Sequence, residues 1–364
     1  MSKLEDARKI INEVDQQMAD LFFKRMKAVE MVAAHKKEHG LPILDIAREE
    51  EVLRKNAEYI QDEELKSYYV NFLKSNMSIS RSYQHRLLEG MRVAYSGVPG
   101  AFADIAARKI FPDASAVDYP DFKAAYEAVV SGECDCAVLP IENSYAGDVS
   151  QVMDLAFFGN LFINGIYDME IVQNLVGLEG ASVRDIKEVY SHPQGLSQCA
   201  GYIRDHGLIA HEATNTAVAA KKVAEEGKKE IAAIASIETA SIYGLKVLDK
   251  SINASSINTT RFAVFTRFPN RNPAKDNYFV MNFTVKNEAG SLGKAIAAIG
   301  DYGFNMRALK SRPSKDLIWE YYFFVEGEGN INSEQGEKML AELKKHCSIL
   351  KVIGSFEREQ KLDR

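Results

Sequence analysis

A guanidinium at position 25 is the first group in this chain that asks for a chemical explanation. Leu4, Ala7, Ile11, Val14, Met18, Leu21, Ala28 and Val32 recur on alternating steps of three and four, the period of an apolar helix face. The step that should continue the stripe is Arg25. A charge on a buried seam is costly unless an anion meets it there. Lys36 follows eleven residues later, about 20° around the same helix, so both cations face one way. Arg8 sits about 100° from Arg25 and roughly 25 Å along the axis, too far to serve the same pocket from one straight helix. In an antiparallel helix pair it could serve the partner's pocket. The set could bind an anion, and a coiled-coil dimerisation helix that tolerates one arginine explains the same stripe.

A second group of polar residues gathers where short apolar runs end. The run 136–140 leads to Ile141-Glu142-Asn143-Ser144, and 189–191 leads into His192-Pro193-Gln194-Gly195-Leu196-Ser197-Gln198-Cys199. The run 231–235 ends at Ser236, and 261–266 follows Thr259-Thr260. Ligands of α/β sheets bind at such strand ends. Singly, Asn143 and Ser144 read equally well as caps or turns, and His192 before a proline reads as structural. Only the set points to a site. Gly97-Val98-Pro99-Gly100 is a tight loop between strand and helix of the kind that can cradle phosphate. Neither a dinucleotide fingerprint nor a P-loop lysine accompanies it, so no cofactor is expected.

Three kinds of element must position these groups. A helix over about 4–37 starts with a Ser2/Glu5 capping box and stops at Gly40 and Pro42. At ~34 residues it runs roughly 50 Å. A second helix opens at Asp45-Ile46-Ala47-Arg48-Glu49 and reaches about 56, and a third covers about 62–88, giving an all-α three-helix domain over 1–89. From 91 to 268 strands alternate with helices, the α/β pattern. A Pro- and Asn-rich linker follows. Strand 278–285, helix 292–302, strands 304–310 and 317–326, helix 333–345 and strand 348–354 then make a βαββαβ, ferredoxin-like domain over 277–356. Trp319 is expected in its core.

The 364 residues are 46% hydrophobic and 26% charged with a net charge of −6, values of an ordinary soluble protein with two or three domains. The acidic balance argues against a nucleic-acid partner. No apolar run reaches the ~18 residues of a membrane span, and the N-terminus has no signal-peptide core, so a cytoplasmic location is expected. Cys134 and Cys136 form C-x-C without a second ligand pair at zinc spacing, so no metal site is expected.

The spacing of Arg8, Arg25, Lys36, Asp45, Arg48, Glu49, Ser80 and Gln84 resembles the all-helical chorismate mutases. The resemblance implies an interlocked dimer whose long helix contributes to both sites, with chorismate as substrate. It assigns carboxylate clamps to Arg25 and the partner's Arg8, and donors to the ether oxygen to Lys36 and Gln84. Arg48 and Glu49 would orient the ring hydroxyl, with Asp45 and Ser80 lining the pocket. The strings PIENSYAG, SHPQGLSQC, ATNTAVAA, ASIYGLKVL and NTTRF resemble prephenate dehydratase, a family whose two α/β lobes, similar to type II periplasmic binding proteins, close on prephenate. That resemblance implies Thr260 as the catalytic hydroxyl within Thr260-Arg261-Phe262. It gives Glu142, Asn143, Ser144, Ser191 and Gln198 as substrate positions, with His192, Thr216, Arg261 and Phe262 beside them.

Relatives often carry hydroxyl residues where this chain has Ala101 and Ala103. The last domain resembles the ACT regulatory domain, which implies phenylalanine binding at a subunit interface by Ala289, Gly290, Ser291 and Leu292 together with Ser311, Arg312 and Pro313. The residue before Ser311 is Lys310, where relatives carry glutamate. The combined expectation is a bifunctional chorismate mutase–prephenate dehydratase, a homodimer or higher oligomer, in phenylalanine synthesis. A non-catalytic small-molecule sensor is the alternative from another class. A dehydratase whose helical domain is only a dimer clamp is a third reading.

Overall fold

The computed structural model describes residues 2–254, 258–270, 272–313 and 321–362. They divide into two compact units, 1–92 with 131–134, and 93–130 with 135–364.

In the first unit α1 (Lys3–His39) begins with the expected reciprocal cap between Ser2 and Glu5 and ends at Gly40, whose φ of 62° suits glycine. Asp45 caps α2 (Ile46–Ala57) by accepting from the Arg48 amide, and Asp62 caps α3 (Glu63–Glu89). The C-terminal half of α1 packs on α3, burying Val29 and Ala33 of α1 and Met77 of α3. The N-terminal half leaves Leu4, Ile11, Val14, Met18 and Leu21 exposed. Over half its length the apolar stripe that the sequence displays is therefore left uncovered by the described residues of its own chain.

Among the described residues the second unit holds three sheets. β1 (Arg92–Ser96), β2 (Ser115–Tyr119), β3 (Cys136–Asn143), β4 (Gly147–Asp148) and β5 (Phe162–Glu170) belong to the first. β6 (Asn174–Gly177), β7 (Glu188–Ser191), β8 (Ile209–Glu212), β9 (Ile231–Ala235) and β10 (Lys246–Asp249) form the second, in the order β10-β6-β9-β7-β8. The chain then returns as β11 (Thr259–Thr266) between β5 and β3 of the first sheet. These are two lobes joined by two crossings. The crossings bond to each other: Ile171 N donates to Asn258 O at 2.8 Å and Ile252 N to Gln173 O at 2.9 Å. β3 and β11 run antiparallel with Thr260 opposite Asn143 and Arg261 opposite Glu142.

The third sheet consists of β12 (Tyr278–Thr284), β13 (Asn305–Pro313), β14 (Tyr321–Glu328) and β15 (Ile349–Phe356) in the order β13-β14-β12-β15. Helices Ser291–Asp301 and Glu334–Lys344 complete the expected βαββαβ order. Phe279, Met281, Phe283, Ile299, Val325 and Met339 form its core. The opposite face of the sheet meets the first lobe. Tyr322 stacks on Phe157 with ring centroids 4.0 Å apart, and a Cβ on Gly354 would lie 1.9 Å from the Ile163 carbonyl oxygen. Only glycine allows that approach. Trp319 lies outside the described residues. Beyond the third sheet, β16 (Gln360–Leu362) returns to pair parallel with β5.

Candidate active sites

Three helices bring most of the first polar set together. Arg25, Lys36, Asp45, Arg48, Glu49, Ser80 and Gln84 line one cavity of about 190 Å³ with Val29, Val32, Ile43, Val52, Met77 and Arg81. Arg25 comes from the seam of α1, where burial depresses its pKa, as expected of a cation taken from water. Its guanidinium donates to Ser80 Oγ, and also to the Asn76 carbonyl at 3.4 Å. Lys36 donates to the Ile43 carbonyl at 2.5 Å. Ser80 and Gln84 are buried, and among the described residues the Gln84 Oε1 has no hydrogen-bond partner. Arg81, which pairs with Glu49, escaped the sequence reading because a cation one step from Ser80 breaks no apolar pattern. Arg8 does not line this cavity and lies exposed on α1. The arrangement offers several cationic and neutral donors to an anion in a partly apolar pocket.

The second set converges at the junction of the two lobes. Asn143, at the end of β3, accepts at Oδ1 from the Tyr145 and Ala146 amides at 3.0 and 2.9 Å, and from Gln194 Nε2 of the other lobe at 2.9 Å. Its Nδ2 lies 2.9 Å from Thr260 Oγ1 and 3.0 Å from Asn258 Oδ1. Asn258 in turn donates to Gln198 Oε1 at 2.9 Å. A cavity of about 180 Å³ opens here, lined by Ser144, Tyr145, Ser197, Gln198, Asn253, Ala254 and Asn258. Ser144 receives the Thr259 amide at 2.9 Å. Ser191 is fully buried and donates to the Ile234 carbonyl at 2.8 Å, so its hydroxyl proton is committed to the second sheet. His192 caps the helix Pro193–Gln198 through Nδ1, and burial lowers its pKa. Thr216 is buried at the first turn of the helix Thr216–Glu226. Asn258, Gln194, Gln173 and Tyr145 were not singled out from sequence, although all but Gln173 lie inside the quoted strings.

Three expected substrate residues point elsewhere. Alternation along β11 sends Arg261 to the face opposite Thr260. There it meets Glu142 at 3.3 Å, Asp168 at 3.5 Å, Glu326 at 2.8 Å and Glu359. Burial opposes its charge, but Glu326 and Glu359 outweigh burial and raise its pKa. Glu326 is itself buried, which shifts its pKa up, with Arg261 opposing that shift. Glu142 lies on this face as well, bound by Lys310 at 3.0 Å. Phe262 is 1% exposed and belongs to the core. Arg261 and Glu142 thus tie the first lobe to the third sheet.

Of the residues expected to bind an effector, Ala289 and Gly290 form an exposed loop, with Gly290 at a φ of 83° starting the helix Ser291–Asp301. Ser291 and Leu292 are half-buried, and Leu292 packs on the third-sheet core. Ser311 and Pro313 are exposed on β13. Arg312 faces the first lobe, donating to Asp154 Oδ1 at 3.0 Å, Ser150 Oγ at 2.7 Å and the Tyr322 hydroxyl at 3.1 Å. Lys310 also reaches Asp148 at 2.6 Å. Among the described residues no disulfide joins the four cysteines, and Cys134, Cys136 and Cys199 are buried.

Comparison with known proteins agrees with this division. A family model described as prephenate dehydratase matches residues 93–270, and one described as chorismate mutase type II matches residues 7–85. An arogenate dehydratase/prephenate dehydratase of Arabidopsis thaliana is 34% identical over 277 residues, covering 73% of this chain and 72% of its own. The bifunctional chorismate mutase/prephenate dehydratase of Aquifex aeolicus is 29% identical over 367 residues, 98% of each chain. A solved prephenate dehydratase of Arthrobacter aurescens, in complex with L-Phe, matches 74% of this chain and 90% of its own with a TM-score of 0.67 and 25% identity.

Proposed function

This chain belongs to the prephenate dehydratase family and carries a type II chorismate mutase domain ahead of the dehydratase domain, and from that premise we propose that it turns chorismate into prephenate and prephenate into phenylpyruvate. The observation that carries the first step is the convergence of seven of the expected polar residues around one cavity in α1–α3. An intramolecular Claisen rearrangement needs a compact conformer and charge stabilisation at the breaking ether oxygen, not a nucleophile. Arg25 holds a carboxylate by its fork. Lys36 and Gln84 donate to the ether oxygen. Arg48 and Glu49 orient the ring hydroxyl, with Arg81 fixing Glu49. Arg8 acts from a second copy, which covers the exposed half of the α1 stripe.

In the second step the carboxylate carbon leaves as carbon dioxide, its bonding pair enters the ring, and the ring hydroxyl departs as water after taking a proton. Aromatisation drives it. Thr260 is the donor at the departing oxygen, positioned by Asn143, while Gln198 and Ser144 bind the substrate. A hydroxyl is a poor acid, so Thr260 acts by a strong hydrogen bond in a closed cleft. Ser191, His192 and Thr216 support this cleft from the second lobe. The third sheet is a regulatory ACT domain whose effector is phenylalanine, bound by the 289–292 loop with Ser311 and Pro313. Its βαββαβ order and the relative solved with L-Phe support this. Arg312 contributes there through its hold on Asp154.

Two variants separate the sites. Arg25→Ala should leave chorismate unchanged yet convert prephenate at the parent rate, and Thr260→Ala should take chorismate to prephenate and stop. Phenylpyruvate from prephenate at near-parent rates in folded Thr260→Ala contradicts the second assignment.

A further inference from the structure

Four buried amides connect the lobes in one hydrogen-bonded chain, and the direction of every bond in it is dictated by backbone groups. Asn143, Asn258, Gln198 and Gln173 are each no more than 6% exposed. At one end, the Tyr145 and Ala146 amides can only donate, so the Asn143 atom they meet must be Oδ1. Nδ2 therefore faces Thr260 and Asn258. At the other end, the Ile171 carbonyl can only accept, so the Asn258 atom 3.3 Å from it must be Nδ2. Asn258 Oδ1 is then left to accept from Asn143, and Gln198 Oε1 to accept from Asn258.

Two consequences follow for the groups assigned to the substrate above. Thr260 Oγ1 accepts from Asn143 Nδ2, which has no lone pair to give, so the threonine proton cannot be spent on that bond. Among the described residues Gln198 Nε2 is buried without a partner, while its Oε1 takes the bonds from Asn258 and Gln173. The chain thus presents two donors, the Thr260 hydroxyl and the Gln198 amide, and a leaving hydroxyl and a carboxylate are both acceptors.

We propose that Asn258 is a positioning residue of the dehydratase, the acceptor that holds the Asn143 amide in place beside Thr260 and so keeps the Thr260 proton available to the departing hydroxyl. The inference rests on the dehydratase reading above. Asn258 itself sits on the return crossing between lobes, where its carbonyl accepts from Ile171 N at 2.8 Å.

The test is a double-mutant cycle in the full chain with prephenate as substrate. Asn258→Ser should lower kcat by roughly 10- to 100-fold, the range of a misplaced proton donor. Thr260→Val removes the hydroxyl, and adding Asn258→Ser to it should cost less than about 3-fold more, because the residue acts through a proton already gone. A merely structural role moves both backgrounds alike. Asn258→Leu, which keeps the shape but loses the acceptor, replaces the serine variant if thermal unfolding shows that variant to be misfolded. Parent-like kcat in the folded single variant, or losses that multiply in the double variant, overturns the inference. Failure of the parent chain itself to convert prephenate overturns the function and the inference together.

Discussion

His192 caps its helix with a ring nitrogen, and burial holds its pKa below the ordinary 6.5. A group that is neutral in the folded chain but protonates in the unfolded chain contributes stability that is intact above pH 6.5 and falls as pH drops through the lowered folded value. Thermal unfolding of the parent should therefore show stability declining below about pH 6.5. His192→Asn, which keeps a capping acceptor, should flatten that slope, and an unchanged slope would remove His192 as its source. At this scale the sequence was most legible where a residue broke a pattern. Arg25 interrupts an apolar stripe and indeed opens on a cavity. Arg81 and Asn258 break nothing, and their partners are distant in sequence, so only the fold reveals them. Arg261 was readable in part. The period of two in a strand separates it from Thr260, and the resemblance had placed both beside the substrate, whereas the fold turns Arg261 toward Glu326.

Elements carry the next set of consequences. Along β13 the alternate residues Lys310 and Arg312 face the first lobe, and Lys310 bridges Glu142, the neighbour of Asn143, to Asp148 on β4. A glutamate at 310 would confront two carboxylates on a seam where the lysine is largely shielded. Lys310→Glu should destabilise the second unit by about 3 kcal/mol, the cost of breaking a shielded pair. Its dehydratase rate should fall while mutase activity stays at the parent level. Unfolding at the parent temperature would show that the lysine does not brace this hairpin. The exposed stripe of α1 gives a second expectation. Leu21→Asp should yield a smaller species by light scattering and lose mutase activity by at least about 100-fold, since Arg8 then has no second pocket to enter. A dimer of parent activity would refute that role for the stripe. Caps and periodicity made α1 and the βαββαβ order readable to within a few residues. β16 was not, because three residues carry no period, and its place is set by pairing with β5.

For the whole molecule, the two units hold two chemistries that share one intermediate. Neither is asked to use more than side-chain donors, cations and a closed cleft. That claim is tested most directly by giving the purified chain chorismate in plain buffer with neither metal nor nucleotide, and following products with time. The account predicts transient prephenate and then phenylpyruvate, with both steps surviving a chelator. Chorismate left unchanged, together with prephenate left unchanged when supplied directly, would contradict it and return the chain to the reading of a ligand-binding sensor.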